Sequence, residues 1–427
     1  MKMKMKYLKM AAVTGLAAAL IAGCGSSGDS NGSSSEGGTT TITFMNHTGE
    51  DKTKAYEDEL IAAFEEANQD IKVEVQRMSM DDYTQTIQTK IASGDAPDVF
   101  YIEQSNLDKY AGSDYLLDLT DTSIAEHYDG NMLVYEGKSY GAPLGVNTYI
   151  ITYNKSVFAD LNIEIPQTTT EFYDACETIK GAGLVPLVAG YQDTWVLMAD
   201  TQAEYVNDVM LRDADALKKL ESREVRFSES ADWKAVFERF AKRMQYTQGD
   251  QFGTDWNTAC TMLANGDAAM IVSGDWTANN VADMGEDVEL GAFILPVSDN
   301  ADEVKMAVPG AGQSYAISAD SENQAAAVKF VDFMTSKEAG EKYVAESIGV
   351  CVIKDVETPE VESALADIVA YMNEGKSEFL SADFDANFTE EYRDAFQNTV
   401  SSFILDGAED VDKLLQDLDT EFDRIHG

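Results

Sequence analysis

An α/β protein made of two globular units is what this sequence predicts, and three observations carry that reading. Its 427 residues exceed the roughly 250–300 at which a single hydrophobic core stops growing and a chain divides. A hydrophobic fraction of 44%, with 18 Phe, 19 Tyr and 4 Trp, supplies apolar surface for both units and excludes a chain disordered throughout. From residue 41 onward, short β-rich runs alternate with stretches of helical apolar spacing, the pattern of a parallel sheet covered on both faces.

The first residues are a separate object. "MKMKMKYLKM" carries Lys2, Lys4, Lys6 and Lys9, and "AAVTGLAAALIAGC" follows as an apolar run too short and small-sided for a membrane span. Residues 1–23 therefore read as a secretory signal. Ile21-Ala22-Gly23-Cys24 resembles a bacterial lipobox, which implies that Cys24 becomes the lipidated mature N-terminus. Residues 24–40, almost all Gly, Ser and Thr after the cysteine, have nothing to bury and are expected to form a flexible tether.

The body opens with a strand at Thr41–Met45, a helix placing Tyr56, Leu60, Phe64 and Ala67 on one stripe, and the alternating strand "IKVEV": one β-α-β unit. A second helix carries Tyr83, Ile87 and Ile91 and ends at Ser93 and Gly94; "PDVFYI" is the next buried strand. After Asn147, Tyr149 to Tyr153 read as a strand. Thr169 or Thr170 caps a helix with Phe172, Cys176 and Ile179 on one face, and "LVPLV" returns as a strand. Two further helices follow, with stripes Trp233, Phe237, Phe240, Met244 and Trp256, Cys260, Leu263. Gly266 ends the second, and "AAMIVS" runs as a strand into Gly274, Asp275 and Trp276. "GAFILPVS" and "SYAIS" are strand-like, residues 325–335 helical, and Val411, Leu414, Leu415, Leu418, Phe422 and Ile425 stripe a terminal helix.

Several function classes are excluded or weakened. A net charge of −45 leaves no basic stripe for phosphates, so nucleic acid is not expected as a partner. Cys176, Cys260 and Cys351 are odd in number, widely spaced and without a CxxC pair, against both a disulfide framework and a zinc site. Only His47, His127 and His426 are present, with no GxSxG elbow, so no catalytic residues are expected. "DFDAN", Asp383 to Asn387, imitates the start of a calcium loop, but Phe388 stands where the loop needs glycine and Asp394 where it needs glutamate; it reads as a solvated turn. No metal or cofactor is called for.

Asp275 and Trp276 fall just past the carboxyl end of a strand, the edge where open α/β sheets bind ligands. A tryptophan there offers an apolar face and a donor N–H, and the neighbouring carboxylate accepts hydrogen bonds from hydroxyls. The plain alternative is an indole sealing a loop against the core.

"SGDAPDVFYI", "YGAPLGVNTYIITYNKSVFADLNIEIPQTTTEF", "LANGDAAMIVSGDW", "FILPVS" and "SYAIS" stand in the order and rough spacing of the extracellular solute-binding proteins of ABC sugar importers, and the chain resembles that family from Thr41 to about Gly427. The resemblance implies a two-lobed periplasmic-binding-protein-like fold of type II, its two α/β lobes joined by a multi-crossing hinge. Lobe one would hold residues 41–147 and 303–352, and lobe two 148–302 and 353–427. It further implies a carbohydrate bound in the interlobe cleft and delivered to the transmembrane subunits of an ABC permease. A monomer, held on the outer face of the cell membrane by the lipid on Cys24, is expected.

Matched motif by motif, the resemblance assigns ligand contact to Asn46 and His47 after the first strand, to Glu103 and Gln104 after "PDVFYI", and to Asn147 beside the hinge. In the second lobe it assigns Asp193 and Trp195, in "GYQDTWV", and Asp275 with Trp276; Gln313 and Tyr315, before "AIS", are weaker additions. On composition alone His47 would be a solvated turn residue and Glu103 a surface ion-pair partner. "SIGVCVIKDV" departs from relatives, which commonly carry a proline near Cys351, so the third crossing is open in shape. A secreted carbohydrate-active hydrolase, a receptor for a non-sugar solute and a lipid-tethered adhesin are the competing readings.

Overall fold

The computed structural model describes residues 39–284, 288–308, 312–357, 364–380 and 386–427. The signal, Cys24 and nearly all of the tether lie outside these residues, as does Asp383–Asp385 of the calcium-loop-like stretch. Among the described residues no helix is long and apolar enough to cross a membrane.

The strands, in chain order, are β1 (Thr40–Asn46), β2 (Ile71–Arg77), β3 (Val99–Ile102), β4 (Leu133–Tyr135), β5 (Lys138–Pro143), β6 (Gly145–Val146), β7 (Tyr149–Asn154), β8 (Val185–Leu187), β9 (Ala268–Gly274), β10 (Leu290–Phe293), β11 (Met306–Val308), β12 (Ser314–Ile317), β13 (Val350–Cys351) and β14 (Ser377–Phe379). They assemble into a six-stranded sheet, β2-β1-β3-β12-β5-β4, a four-stranded sheet, β10-β7-β9-β8, and the ribbons β11-β14 and β13-β6.

Neither large sheet is all-parallel, which corrects the expectation from strand–helix alternation. β1 pairs in parallel with β2 and β3, but β12 runs antiparallel to β3 and to β5. β7 is antiparallel to both of its neighbours, β9 and β10. β12 is a late strand that enters the first sheet after the chain has built the second, and no crossover helix fixes its direction.

The expected helices form, with small shifts of boundary. Asp51–Ala67 buries Tyr56, Leu60, Ile61 and Phe64, and Met80–Ser93 stops at Gly94, whose φ of 73° is cheap only for a residue without Cβ. The cap of Thr169–Gly181 is Thr168, not Thr169 or Thr170: its hydroxyl accepts from the N–H of Glu171 at 3.2 Å. Val411–His426 buries Leu414, Leu415, Leu418 and Phe422.

Two cores result. One gathers Phe44, Phe64, Phe100, Tyr101, Tyr315 and Phe330 about the six-stranded sheet; the other gathers Phe172, Trp233, Phe237, Phe240, Phe396 and Phe422 about the four-stranded one. Cys176 and Cys260 are fully buried in the second, and all three described cysteines are free. The helix Ala364–Asn373 places Ala364, Leu365 and Ile368 in the first core although it packs on β10, and Asp367 Oδ2 accepts from the N–H of Ala292 at 2.9 Å.

The chain passes between the cores along paired strands. β13 pairs with β6, Val350 opposite Val146 and Cys351 opposite Gly145, so the stretch that lacks proline is extended and hydrogen-bonded. β11 pairs with β14. Asn207 joins two of these passages: its Nδ2 donates to Tyr149 O at 2.8 Å and its Oδ1 accepts from the N–H of Ala307 at 2.9 Å. It sits in a π-helical turn, Val206–Met210, whose extra residue per turn moves a buried side chain off the regular helical face.

Candidate functional site

Parallel pairing brings the ends of β1 and β3 to one edge of the six-stranded sheet, and the loops after them face the end of β9. Between them lies a cavity of about 910 Å³ lined from both lobes, within the range of small-molecule sites. His47, Glu103, Gln104, Asn147, Asp193, Trp195, Asp275, Trp276, Gln313 and Tyr315 all line it. Asn46 does not. It is wholly buried, and its Nδ2 donates to Glu57 Oε2 at 3.0 Å, because the last residue of β1 still points into the sheet's interior.

Glu57 organises the first-lobe wall. Only 1% exposed, it accepts from Asn46, from Thr48 Oγ1 at 2.6 Å, from Tyr101 OH at 2.8 Å and from Arg77 Nη2 at 3.0 Å. Burial raises its pKa, while these partners and the Arg77 charge pull the other way. The hydroxyls of Tyr101 and Tyr315 lie 3.3 Å apart above it.

His47 is buried, not solvated, with its ring 4.9 Å from that of Tyr83 and Nδ1 3.4 Å from Gln313 Nε2. Burial depresses its pKa to about 4, so a neutral imidazole faces the cavity at neutral pH. Among the described residues Glu103 makes no surface ion pair. Burial raises its pKa against the opposing charge of Arg393, and its N–H donates to Asn106 Oδ1 at 3.2 Å, setting the start of the helix Gln104–Ala111.

The second-lobe wall is aromatic. Trp195, at the start of the helix Thr194–Tyr205, is 4.9 Å from Trp256 and 6.2 Å from Trp276, and Trp276 stands edge-on to Tyr149 at 6.1 Å. Asp193 carries a structural duty: its Oδ2 accepts from the N–H of Trp256 at 2.7 Å, satisfying a first-turn donor of the helix Trp256–Ala264.

The register Tyr149↔Gly274 continues one residue further. Asp275 N–H donates to Thr148 O at 3.2 Å and Asp275 Oδ1 accepts from Thr148 N–H at 2.9 Å. This pair of hydrogen bonds, one to backbone and one to side chain, holds the chain at the turn, and Trp276 follows into the cavity wall. Burial raises the Asp275 pKa to about 7, with the Thr148 hydrogen bonds opposing. Among the described residues Gln104 Oε1 and Trp276 Nε1 are buried without a hydrogen-bond partner, a cost of about 1–3 kcal/mol each.

Several wall residues escaped sequence reasoning. Trp256 and Tyr149 read as core by their spacing and are core, yet each also reaches the cavity. Glu50 accepts from Asn280 Nδ2 at 3.0 Å, and Glu390 accepts from Gln88 Nε2 at 3.0 Å and Lys109 Nζ at 2.8 Å. These bonds join residues 230, 302 and 281 positions apart, and no local pattern could have found them.

A model of the bacterial extracellular solute-binding proteins matches residues 48–341. Over 353 residues, spanning 79% of this chain and 80% of the relative, the sequence is 27% identical to a multiple sugar-binding protein of Streptococcus mutans. It is 25% identical to a maltooligosaccharide ABC transporter solute-binding lipoprotein of Streptococcus pneumoniae, covering 79% of this chain and 78% of that one. Among solved structures, the SBP RafE in complex with raffinose superposes with a TM-score of 0.76 at 22% identity, over 91% of this chain and all of that chain. A chitin oligosaccharide binding protein gives 0.78 at 19%, over 90% and 99%. At these identities the structural likeness speaks for the fold: two α/β lobes of the type II arrangement.

Proposed function

The chain belongs to the bacterial extracellular solute-binding proteins, and from that premise we propose that it captures a carbohydrate in the interlobe cavity and hands it to the membrane subunits of an ABC importer. One observation carries the choice of ligand. Three of the four tryptophans, with Tyr149, line a cavity that also presents carboxylates, amides, hydroxyls and the His47 imidazole. Sugars demand that combination, since their C–H faces pack on rings while each buried hydroxyl left unpaired costs about 1–3 kcal/mol. A bound hydroxyl can supply the partner that Trp276 Nε1 or Gln104 Oε1 lacks.

In this reading Trp195, Trp256 and Trp276 cover sugar faces, Asp275, Asn147, Glu103 and Gln104 take hydroxyls, and neutral His47 serves as donor or acceptor. The passages β6–β7, β11 and β13 act as the hinge between lobe one (residues 41–147 and 303–352) and lobe two (148–302 and 353–427). Cys24 carries the lipid that tethers a monomeric receptor outside the cell. Names of relatives support the sugar: one binds multiple sugars, another maltooligosaccharide. A ligand that binds only the folded form raises its melting temperature by mass action. A thermal-shift screen of neutral mono- and oligosaccharides, followed by titration calorimetry, should return at least one ligand; binding of amino acids or peptides and of no sugar would refute the assignment.

A further inference from the structure

A second cavity, of about 320 Å³, lies against the main cleft. The two share a wall that includes His47, Thr84, Gln88, Glu103, Glu390 and Arg393. Past that wall the smaller chamber is bounded by Tyr83, Ser105 and Asn106 from the first lobe and by Thr389 and Glu391 from the second, so it sits on the same seam between lobes. The partition is held by the hydrogen bonds of Glu390 to Gln88 and Lys109. Arg393, one turn beyond Glu390 in the helix Glu390–Leu405, lines both spaces, and its charge acts on both Glu103 and Glu390.

We propose that this chamber is a subsite for the terminal unit of a neutral oligosaccharide too long for the main cleft, entered when Glu390 exchanges Gln88 for ligand hydroxyls. The proposal rests on the carbohydrate reading above. Exchanging one hydrogen bond for another is nearly balanced in free energy, so the partition opens at little cost. The planar fork of Arg393 presents donors to adjacent hydroxyl oxygens, and the Glu390 carboxylate accepts from hydroxyl donors. The ring of Tyr83, tilted against His47 at 4.9 Å, gives the chamber an apolar side. Glu103, Asp108, Glu390 and Glu391 outnumber Lys109 and Arg393 around it, which disfavours an acidic sugar.

Ser105→Trp and Thr389→Trp fill the chamber from opposite lobes without touching the main cleft. Affinities of the full chain and both variants would be measured by calorimetry for two series, melibiose, raffinose and stachyose, and maltose to maltopentaose, with circular dichroism melts confirming that each variant folds. The expected result is at least a tenfold loss for the longest member that binds and less than a twofold change for the shortest; a variant that fails to fold is replaced by the one on the other lobe. A loss uniform across lengths, or no loss in either variant, overturns the subsite while leaving the carbohydrate reading intact. Where the thermal-shift screen returns a different sugar, its own chain-length series replaces these two; no sugar bound at all by the unmodified protein overturns both.

Discussion

A Cβ on Gly274 would stand 2.1 Å from the ring of Trp276, because the indole folds back onto the end of its own strand. Glycine at this position is what lets the ring lie there. Gly274→Ala should therefore displace Trp276 from the cavity wall and weaken sugar binding at least tenfold, with an overpacking cost of about 1–3 kcal/mol. Calorimetric titration beside a urea melt checks both; unchanged affinity would show that the ring plays no part in binding.

Trp276→Ala tests the same surface from the other side. The ring is half-buried against the second core, so some stability is lost, but the loss of affinity should be the larger effect. A variant that unfolds more easily yet binds normally would make this indole a packing residue.

Asp275 and His47 give the protein opposite responses to pH. Between 3.8 and about 7 the native state keeps a proton on Asp275 that the unfolded chain has released, so this group lowers stability as pH rises through that window. Between 6.5 and about 4 the unfolded chain protonates a histidine that the native state keeps neutral, so His47 lowers stability as pH falls. Melting temperatures recorded from pH 4 to 7 should show Asp275→Asn losing less stability than the parent toward pH 7, and His47→Asn losing less toward pH 4.

Arg243 is 1% exposed between Asp200 and Glu204, at 2.6 and 2.8 Å, beneath the helix that presents Trp195. Arg243→Met would strand two buried carboxylates, and removing one partner of such a group costs about 3–5 kcal/mol. Equilibrium urea unfolding should show that loss; a change under 1 kcal/mol would mean that Arg239, which also bonds Glu204 at 2.8 Å, compensates.

Asn207→Ala removes the two buried hydrogen bonds that link Tyr149 O to Ala307 N–H. The expected cost is about 1–3 kcal/mol, read by chemical denaturation. Asn207→Asp should cost at least as much, since the carboxylate cannot donate to Tyr149 O.

Strands and helices were legible wherever periodicity was strong, as in the stripes Tyr83, Ile87, Ile91 and Leu414, Leu418, Phe422. Sheet direction was not, because the pairing of β12 with β3 depends on a segment that leaves for the second lobe and returns some two hundred residues later. Cavity-lining positions at strand ends were legible from motif order. Their engagement was not: Asn46 and His47 are adjacent, yet one is spent on Glu57 and the other lines the cavity, a difference set by the last pleat of β1. Glu57, Glu390 and Asn207 carry no local signature, since their partners come from distant parts of the chain.

Trp233 alone among the four tryptophans lies away from the cavity, deep in the second core. The intrinsic fluorescence of this chain is consequently weighted toward one place, and occupancy of that place can be followed by emission without attaching any dye, against a steady background from a single interior chromophore.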